Sequence, residues 1–160
     1  MPETKCGFDS IPDGASGAMM LAAYGPTLIV DIGFDQDFQT GRSKNPVPGL
    51  KGIHALVDTG ASESCIDSAL AAQLNLPIVD RRSVAGAHGS AEVSIHLAHI
   101  HVPSLGFTIY GAFAGVHLSA GGQPHLALIG RTFLQHCTMI YEGRTGSVSI
   151  SMQQPPSPAA

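Results

Sequence analysis

The chain places one acidic residue at the junction between an apolar run and a tight turn. Asp58 directly follows the apolar run Ala-Leu-Val at residues 55–57 and precedes a Thr-Gly pair, within the segment ALVDTGAS. A carboxylate beside a buried strand is costly unless it is hydrogen-bonded or used in chemistry. Asp also caps turns through backbone amides, and so short a triplet arises by chance as well. Whether Asp58 is a turn residue or a catalytic residue therefore has to be decided from the rest of the sequence.

Short apolar runs separated by glycine and proline dominate the chain. Its 160 residues include 19 Gly and 11 Pro, and charged residues make up only 12%. This balance favours short strands joined by tight turns and predicts an all-β domain. The expected strands lie at residues 27–34 and 52–60, in hairpins over 78–102 and 138–152, and at 107–118 and 125–130.

Two short helices are expected between these strands. Ser64-x-x-Asp67 has the form of a capping box, and Ile66, Leu70 and Leu74 recur at the helical spacing of four. The first helix is therefore predicted to begin at the capping box and to run for two to three turns. The segment RTFLQHC, residues 131–137, predicts the second.

The ends of the chain differ in composition from its middle. Residues 1–24 show little periodicity and are expected to be a flexible extension, while 25–152 are expected to form one domain. Residues 153–160 read as a Pro-rich tail that does not pack. The apolar stretch at 18–25 is too short to span a membrane and lacks the basic residues that precede a signal sequence. No membrane association is expected.

Charge and cysteine usage exclude several functions. With a net charge of −4 and only eight Lys and Arg, the chain lacks a basic stripe for nucleic acid. The three cysteines have no close CxxC spacing, which favours reduced thiols and a cytoplasmic location. His96, His99 and His101 raise the alternative of a metal-binding domain, but in a strand His96 faces away from the other two. They are expected to be surface positions, and no metal or organic cofactor is predicted.

The order of motifs resembles the retroviral-type aspartic proteases (retropepsins) and the protease-like domain of the DNA-damage-inducible ubiquitin-shuttle proteins. ALVDTGAS is followed by a short helix, a hairpin tipped by GAHG at 86–89, and LIGRTFL at 128–134. The resemblance covers residues 27 to about 150. It implies a closed barrel of the six-stranded type, with one or two short helices and a β-hairpin flap.

The resemblance also implies roles for individual residues. Asp58 is the expected catalytic carboxylate of an aspartic endopeptidase acting on polypeptides. Thr59 would hydrogen-bond between the two catalytic loops, and Gly60 would offer its carbonyl to substrate. The other expected positions are Ala61 in the active-site loop, Ala85, Gly86, Ala87 and His88 in the flap, Leu56, Ser62, Val84 and Ile129 in substrate pockets, and Gly130 and Arg131 as structural residues.

A single Asp-Thr-Gly in a chain of this length implies a homodimer, in which Asp58 of a second subunit supplies the other carboxylate. The alternative is a binding or dimerisation module that keeps the fold without proteolysis. Retroviral proteases commonly carry an Asp where this chain has Ser62, and it pairs with the Arg that Arg131 matches. Either Glu63 or an aspartate elsewhere replaces it, or Arg131 bonds backbone carbonyls. The subunits are expected to pair through SVSISM, residues 147–152, or by a different arrangement.

Overall fold

The structure, a computed structural model, describes residues 2–86 and 89–153. Its strands are β1 Glu3–Lys5, β2 Thr27–Gly33, β3 Leu50–Val57, β4 Cys65–Asp67, β5 Ile78–Gly86, β6 Gly89–Val102, β7 Phe107–Val116, β8 Ala127–Ile129, β9 Cys137–Glu142 and β10 Ser147–Met152. The helices are α1 Gly17–Tyr24, α2 Gln36–Gln39, α3 Ser68–Gln73 and α4 Arg131–Leu134, with one 3-10 turn at Pro103–Leu105.

Six strands form a closed ring. The larger sheet has the order β2-β3-β8-β4-β7-β6-β5, and an additional antiparallel pairing of β2 with β6 closes it. β5 lies outside the ring as the second arm of the β6 hairpin. The predicted all-β class is confirmed. The prediction of one or two helices was too low, because short helices also form at 17–24 and 36–39.

The core fills the inside of this ring. Alternate residues of β2 and β3 point inward, and Val30, Ile32, Ile53 and Ala55 are buried while their neighbours face out. The period-2 alternation that predicted these strands therefore also fixes which side chains enter the core. Burying apolar surface in this way is the main driving force for closing the ring.

A second sheet has the order β1-β10-β9. β10 is paired on both sides, with β1 at Ile150↔Thr4 and with β9 at Ile150↔Met139. Because neither edge of that strand is free, the structure does not allow subunits to pair along residues 147–152, and the expected alternative, a different arrangement, remains a prediction. The hairpin prediction for 138–152 is correct.

Residues 2–24 pack on the rest of the chain. Besides β1, they contain α1, whose N-cap Ser16 accepts a hydrogen bond from the amide of Met19 at 3.1 Å. Cys6 and Leu21 are buried. No periodic pattern marks this segment, because α1 is almost uniformly apolar and because its stability comes from distant partners. The domain boundaries and the character of the tail, whose residues 154–160 lie outside the described residues, remain predictions.

The first predicted helix begins later than the capping-box pattern indicated. Residues Cys65–Asp67 form β4, and α3 starts at Ser68 with Asp67 as its N-cap. The side chain of Ser64 accepts a hydrogen bond from the amide of Gly130 at 3.0 Å. Long-range pairing of β4 with β7 and β8 outweighs the local helical signal.

The histidine prediction also needs correction. His96 and His99 are buried, and His101 is half-buried, so they are not surface positions. Within the described residues, no three or more His, Cys, Asp or Glu side chains are grouped to hold a metal ion. None of the helices in this part of the chain is long and apolar enough to cross a membrane.

Candidate active site

The Asp58 loop begins where β3 leaves the ring. The amide of Asp58 donates to the carbonyl of Ile129 at 2.9 Å, and its carbonyl accepts from Ala61 at 3.2 Å. Oδ1 of the carboxylate accepts from the amide of Gly60 at 2.9 Å. Among the described residues, no hydrogen bond to Oδ2 is seen. One oxygen of the half-buried carboxylate is thus anchored in the turn, which leaves the other free to act.

The N-terminus of α4 is hydrogen-bonded to this loop. The amides of Arg131 and Thr132 donate to the carbonyls of Ala61 and Ser62 at 2.9 and 3.0 Å. The first amides of a helix have no partner within the helix, so the loop satisfies them. The Arg131 guanidinium adds a hydrogen bond to the carbonyl of Thr59 at 2.8 Å. The carbonyls of Thr59, Ala61 and Ser62 in the loop carrying Asp58 therefore all accept hydrogen bonds from residues of α4.

Gly130 lets the loop and α4 approach closely. A Cβ at this position would lie 2.6 Å from the carbonyl carbon and oxygen of Glu63 and 3.0 Å from the carbonyl oxygen of Ala61. These are backbone atoms that cannot turn away. The amide of Gly130 also donates a hydrogen bond to Ser64 Oγ. The structural role predicted for this glycine thus has a steric reason.

Arg131 bonds the backbone of the Asp58 loop through its side chain. Its guanidinium bonds the backbone carbonyl of Thr59. The ion pair observed among the described residues joins Arg82 to Asp80 instead, at 3.1 Å. The structure therefore contains the second alternative, in which Arg131 bonds the backbone.

Cys65 is a neighbour of Asp58 that sequence reasoning did not single out. Burial, with a smaller contribution from the charge of Asp58, raises the pKa of the Cys65 thiol to about 11, against an opposing effect of the Leu128 amide. The thiol therefore stays protonated at neutral pH and is a poor nucleophile. Only the closeness of residues 58 and 65 in sequence hinted at this electrostatic influence.

The expected pocket residues divide between surface and core. Leu56 is half-buried and Ser62 is exposed, whereas Ile129 is fully buried in the core. Leu128 is the half-buried residue of β8, and it pairs in parallel register with Leu56. Of these two neighbours in β8, Leu128 is the one whose side chain is partly exposed, whereas Ile129, the expected pocket residue, is buried. The available signal was the alternation along Ala127, Leu128 and Ile129. Alternation alone does not tell which face of the strand points into the core.

The hairpin formed by β5 and β6 extends well beyond the ring. Its arms pair in register from Asp80↔Ile95 to Gly86↔Gly89. Val84 and Ala85 are exposed. The other expected tip residues, Ala87 and His88, lie outside the described residues. The predicted hairpin is confirmed, and its action as a flap remains a prediction.

These features define an all-β domain in which the loop carrying Asp58 is hydrogen-bonded to the start of α4, at Gly130 and Arg131. A protein-family model described as gag-polyprotein putative aspartyl protease matches residues 49–136, a stretch that contains both Asp58 and Arg131. The match covers more than half of the chain. The chain therefore belongs to the family of gag-polyprotein putative aspartyl proteases.

Solved structures of viral proteases are similar to the chain. EIAV protease in complex with the inhibitor HBY-793 is 22% identical, with a TM-score of 0.45 over 69% of this chain and 85% of that one. The simian foamy virus (mac) protease in solution is 12% identical, with a TM-score of 0.43 over 68% and 91% of the two chains. No match is found among curated proteins.

Proposed function

We propose that the protein is an aspartic endopeptidase in which two copies of Asp58, one from each subunit of a homodimer, activate a water molecule. The observation that carries the proposal is the state of the Asp58 carboxylate. One oxygen is held by Gly60, the other accepts no bond within the described residues, and the loop is fixed by α4. A merely structural turn residue does not need a free oxygen at an accessible position.

The chemistry follows from placing two such carboxylates side by side. Two carboxylates in close contact cannot both be ionised, so the pair holds one proton. The ionised member takes a proton from the water as it attacks the peptide carbonyl. The protonated member donates to the carbonyl oxygen. The rigid turn at Thr59 and Gly60 keeps both groups in position, and such positioning can supply a large part of the rate acceleration.

A second subunit is required because the chain supplies one Asp-Thr-Gly. The surface that we propose for it contains β9, whose outer edge is unpaired in the part of the chain that the structure describes. Ile140 and Tyr141 of this strand are 58% and 52% exposed. A cavity of about 380 Å³ continues from this strand to the candidate site, and its lining residues are Thr59, Arg131, Leu134, Gln135 and Met139.

The substrate would lie extended between the two Asp58 loops and the β5–β6 hairpins. An extended peptide is recognised chiefly through its backbone, with shallow pockets adding specificity. Leu56 and Leu128 are paired half-buried apolar side chains one residue before the end of β3. The hairpin arms, with Val84 exposed, would cover the peptide and exclude water.

The test is cleavage of a peptide library by wild-type protein and by Asp58→Asn. We expect the substitution to abolish cleavage and to leave the dimer intact, because it changes one atom of the side chain. Asp9→Asn, at an exposed position, is the matched control and should cleave normally. If the wild-type dimer cleaves no peptide between pH 3 and pH 7, the proposal fails in favour of a binding or dimerisation module.

The proposed subunit surface is tested separately with Ile140→Glu. A charge at the unpaired strand edge should separate the subunits in sedimentation velocity and remove cleavage at the same concentration. Val47→Glu, which also replaces a well-exposed apolar side chain, should do neither. A dimeric but inactive Ile140→Glu protein would contradict the assignment of this surface.

A further inference from the structure

A strap of residues 35–49 joins β2 to β3 and lies on the outer face of β6. The aromatic ring of Phe38, in α2, meets the imidazole of His99 edge-on, with centroids 6.1 Å apart. Gln39 Nε2, also in α2, donates a hydrogen bond to the carbonyl of Ala98 at 2.9 Å. The contacts of α2 therefore hold the strap on β6.

His99 is buried beneath this strap. It alternates along β6 with Ala98 and Ile100, which belong to the core, so its side chain points away from the core. It is nonetheless 0% exposed, and Phe38 of the strap lies against it. Both imidazole nitrogens lack a hydrogen-bond partner among the described residues. The closed strap therefore favours the neutral imidazole, because burying an unpaired charge costs far more than burying an unpaired neutral group.

Asp35 ties the two ends of the strap together. Its Oδ1 accepts hydrogen bonds from the amides of Asp37 and Phe38 at 3.0 and 3.4 Å, and its Oδ2 accepts one from the amide of Val47 at 2.8 Å. The bond from Val47 is the main cause that holds the pKa of Asp35 below 3.8, against a smaller opposing effect of burial. This carboxylate therefore stays ionised in mild acid. Turning it toward His99 would break the bonds that fix the strap.

The ionisable groups near His99 come from the strap and from four strands. They are Asp35 in the strap, Asp31 in β2, Lys51 in β3, His101 in β6 and Tyr110 in β7. The other charged residues of the strap are exposed, and they are Asp37, Arg42 and Lys44. Burial is the main cause that lowers the pKa of His99, while Asp35 and Asp31 oppose it and His101 adds to it. Since no described residue is hydrogen-bonded to the His99 imidazole, a proton there enters a buried site without a bonded counter-charge.

We propose that protonation of His99 releases the strap from β6, so that residues 35–49 open in mild acid while the closed ring of strands stays folded. Phe38 and Gln39 leave β6, and water reaches the imidazolium. The ring of strands stays closed because β2 and β6 pair through their own backbones at Gly33↔His99, where the strap takes no part. This conformational device does not depend on the proposed endopeptidase function.

The direction of the effect follows from the pKa of His99 in the two states. With the strap open, the imidazole is in water and has the ordinary pKa of about 6.5, whereas burial beneath the closed strap lowers it. The closed strap is therefore fully stabilised above pH 6.5, and the open population rises as the pH falls toward the lowered pKa. Between pH 7.5 and 5.5 this linkage raises the equilibrium constant for opening by up to about tenfold.

Hydrogen exchange of the full chain, measured by NMR at pH 7.5 and 5.5, tests this opening. Because α2 has only four residues and is too short to persist alone, the amides of Thr40, Arg42 and Val47 lose their bonds when the strap leaves β6. After correction for the intrinsic exchange rate at each pH, their protection should fall several-fold, up to about tenfold. Amides of the β6–β7 ladder should stay more protected than these at both pH values. Strap amides that exchange only together with the ladder, or that are equally protected at both pH values, would overturn the proposal.

The group responsible is identified with three variants. His99→Leu removes the titrating group and keeps a buried side chain, so its strap amides should be equally protected at both pH values. The exposed His136→Leu is the matched control and should show the wild-type loss, as should His101→Gln. A loss that persists in His99→Leu, or that disappears in His101→Gln, contradicts the role of His99. If His99→Leu does not fold, the wild-type imidazoles are titrated by NMR, and a midpoint for His99 that differs from that of the strap amides contradicts the proposal, whereas a shared midpoint supports it.

Discussion

The guanidinium of Arg131 donates a hydrogen bond to the carbonyl of Thr59 at 2.8 Å and so ties α4 to the loop that carries Asp58. In Arg131→Ala this bond is lost, while the backbone bonds from α4 to the loop persist. We expect the free energy of unfolding to fall by only about 1 kcal/mol. Because a misplaced catalytic loop is far more costly than one hydrogen bond, kcat/KM should fall on the order of 100-fold.

Arg144→Ala removes the same charge from the exposed β9–β10 turn and serves as the control. Peptide cleavage and urea denaturation, measured on both variants, separate the two effects. Equal loss of activity in both would mean that net charge matters and the bond to Thr59 does not.

Gly130→Ala tests the close approach of α4 and the loop. The added Cβ would lie 2.6 Å from backbone atoms of Glu63, so the loop or the helix must move. Overpacking of this kind typically costs about 1–3 kcal/mol, and the displaced loop should also lose most of its activity. Gly143→Ala is the matched control, because its Cβ would meet only Tyr141 Cε1, at 3.4 Å. A Gly130→Ala protein as stable as Gly143→Ala would show that the approach is not tight.

The sequence was sufficient to predict the features that local pattern determines. Alternating apolar residues located β2 and β3, and glycines located the hairpin at 86–89. The turn at Asp58 followed from a carboxylate placed between an apolar run and Thr-Gly. In each case the signal lies within a few residues of the feature, which is where propensity and periodicity are informative.

Features that depend on distant partners could not be predicted. His99 is buried because β2 pairs with β6 at Gly33↔His99 and closes the ring. Leu21 is buried because a segment without a periodic pattern docks on the ring. β4 replaces the expected first turn of a helix, because β7 and β8 offer it hydrogen bonds. None of these partners is adjacent in sequence, so no local pattern reports them.

Asp67 is a buried carboxylate that holds two parts of the fold together. It accepts hydrogen bonds from the amides of Leu70, Leu118 and Ser119 at 3.2, 3.1 and 2.9 Å, and from the Ser119 hydroxyl. In Asp67→Asn an amide NH₂ replaces one acceptor and faces these donors. We expect a loss of about 2–4 kcal/mol in urea denaturation at pH 7. The control Asp9→Asn, at an exposed position, should change little.

The same carboxylate should contribute to acid unfolding. Burial alone would raise the pKa of Asp67, but hydrogen bonds from Ser119, Leu70 and Leu118 outweigh it and hold the pKa below its usual value of 3.8. Its contribution to stability is thus fully present above that value and is lost as the pH falls through the lowered pKa. Acid titration followed by circular dichroism should show a shallower loss of stability below pH 4 for Asp67→Asn than for wild type. Parallel curves would contradict this assignment.

His99 should make the fold less stable in mild acid. Both ring nitrogens are buried without a partner among the described residues, and burial lowers the pKa of His99 below 6.5. Asp35 and Asp31 oppose this effect, and His101 adds to it. Since the unfolded chain takes up the proton first, stability is fully present above pH 6.5 and decreases as the pH falls toward the lowered pKa. His99→Leu should therefore lose less stability than wild type between pH 7.5 and 5.5 in urea denaturation. The exposed His136→Leu should behave as wild type, and a His99→Leu protein with the wild-type pH dependence would contradict the role of this ring.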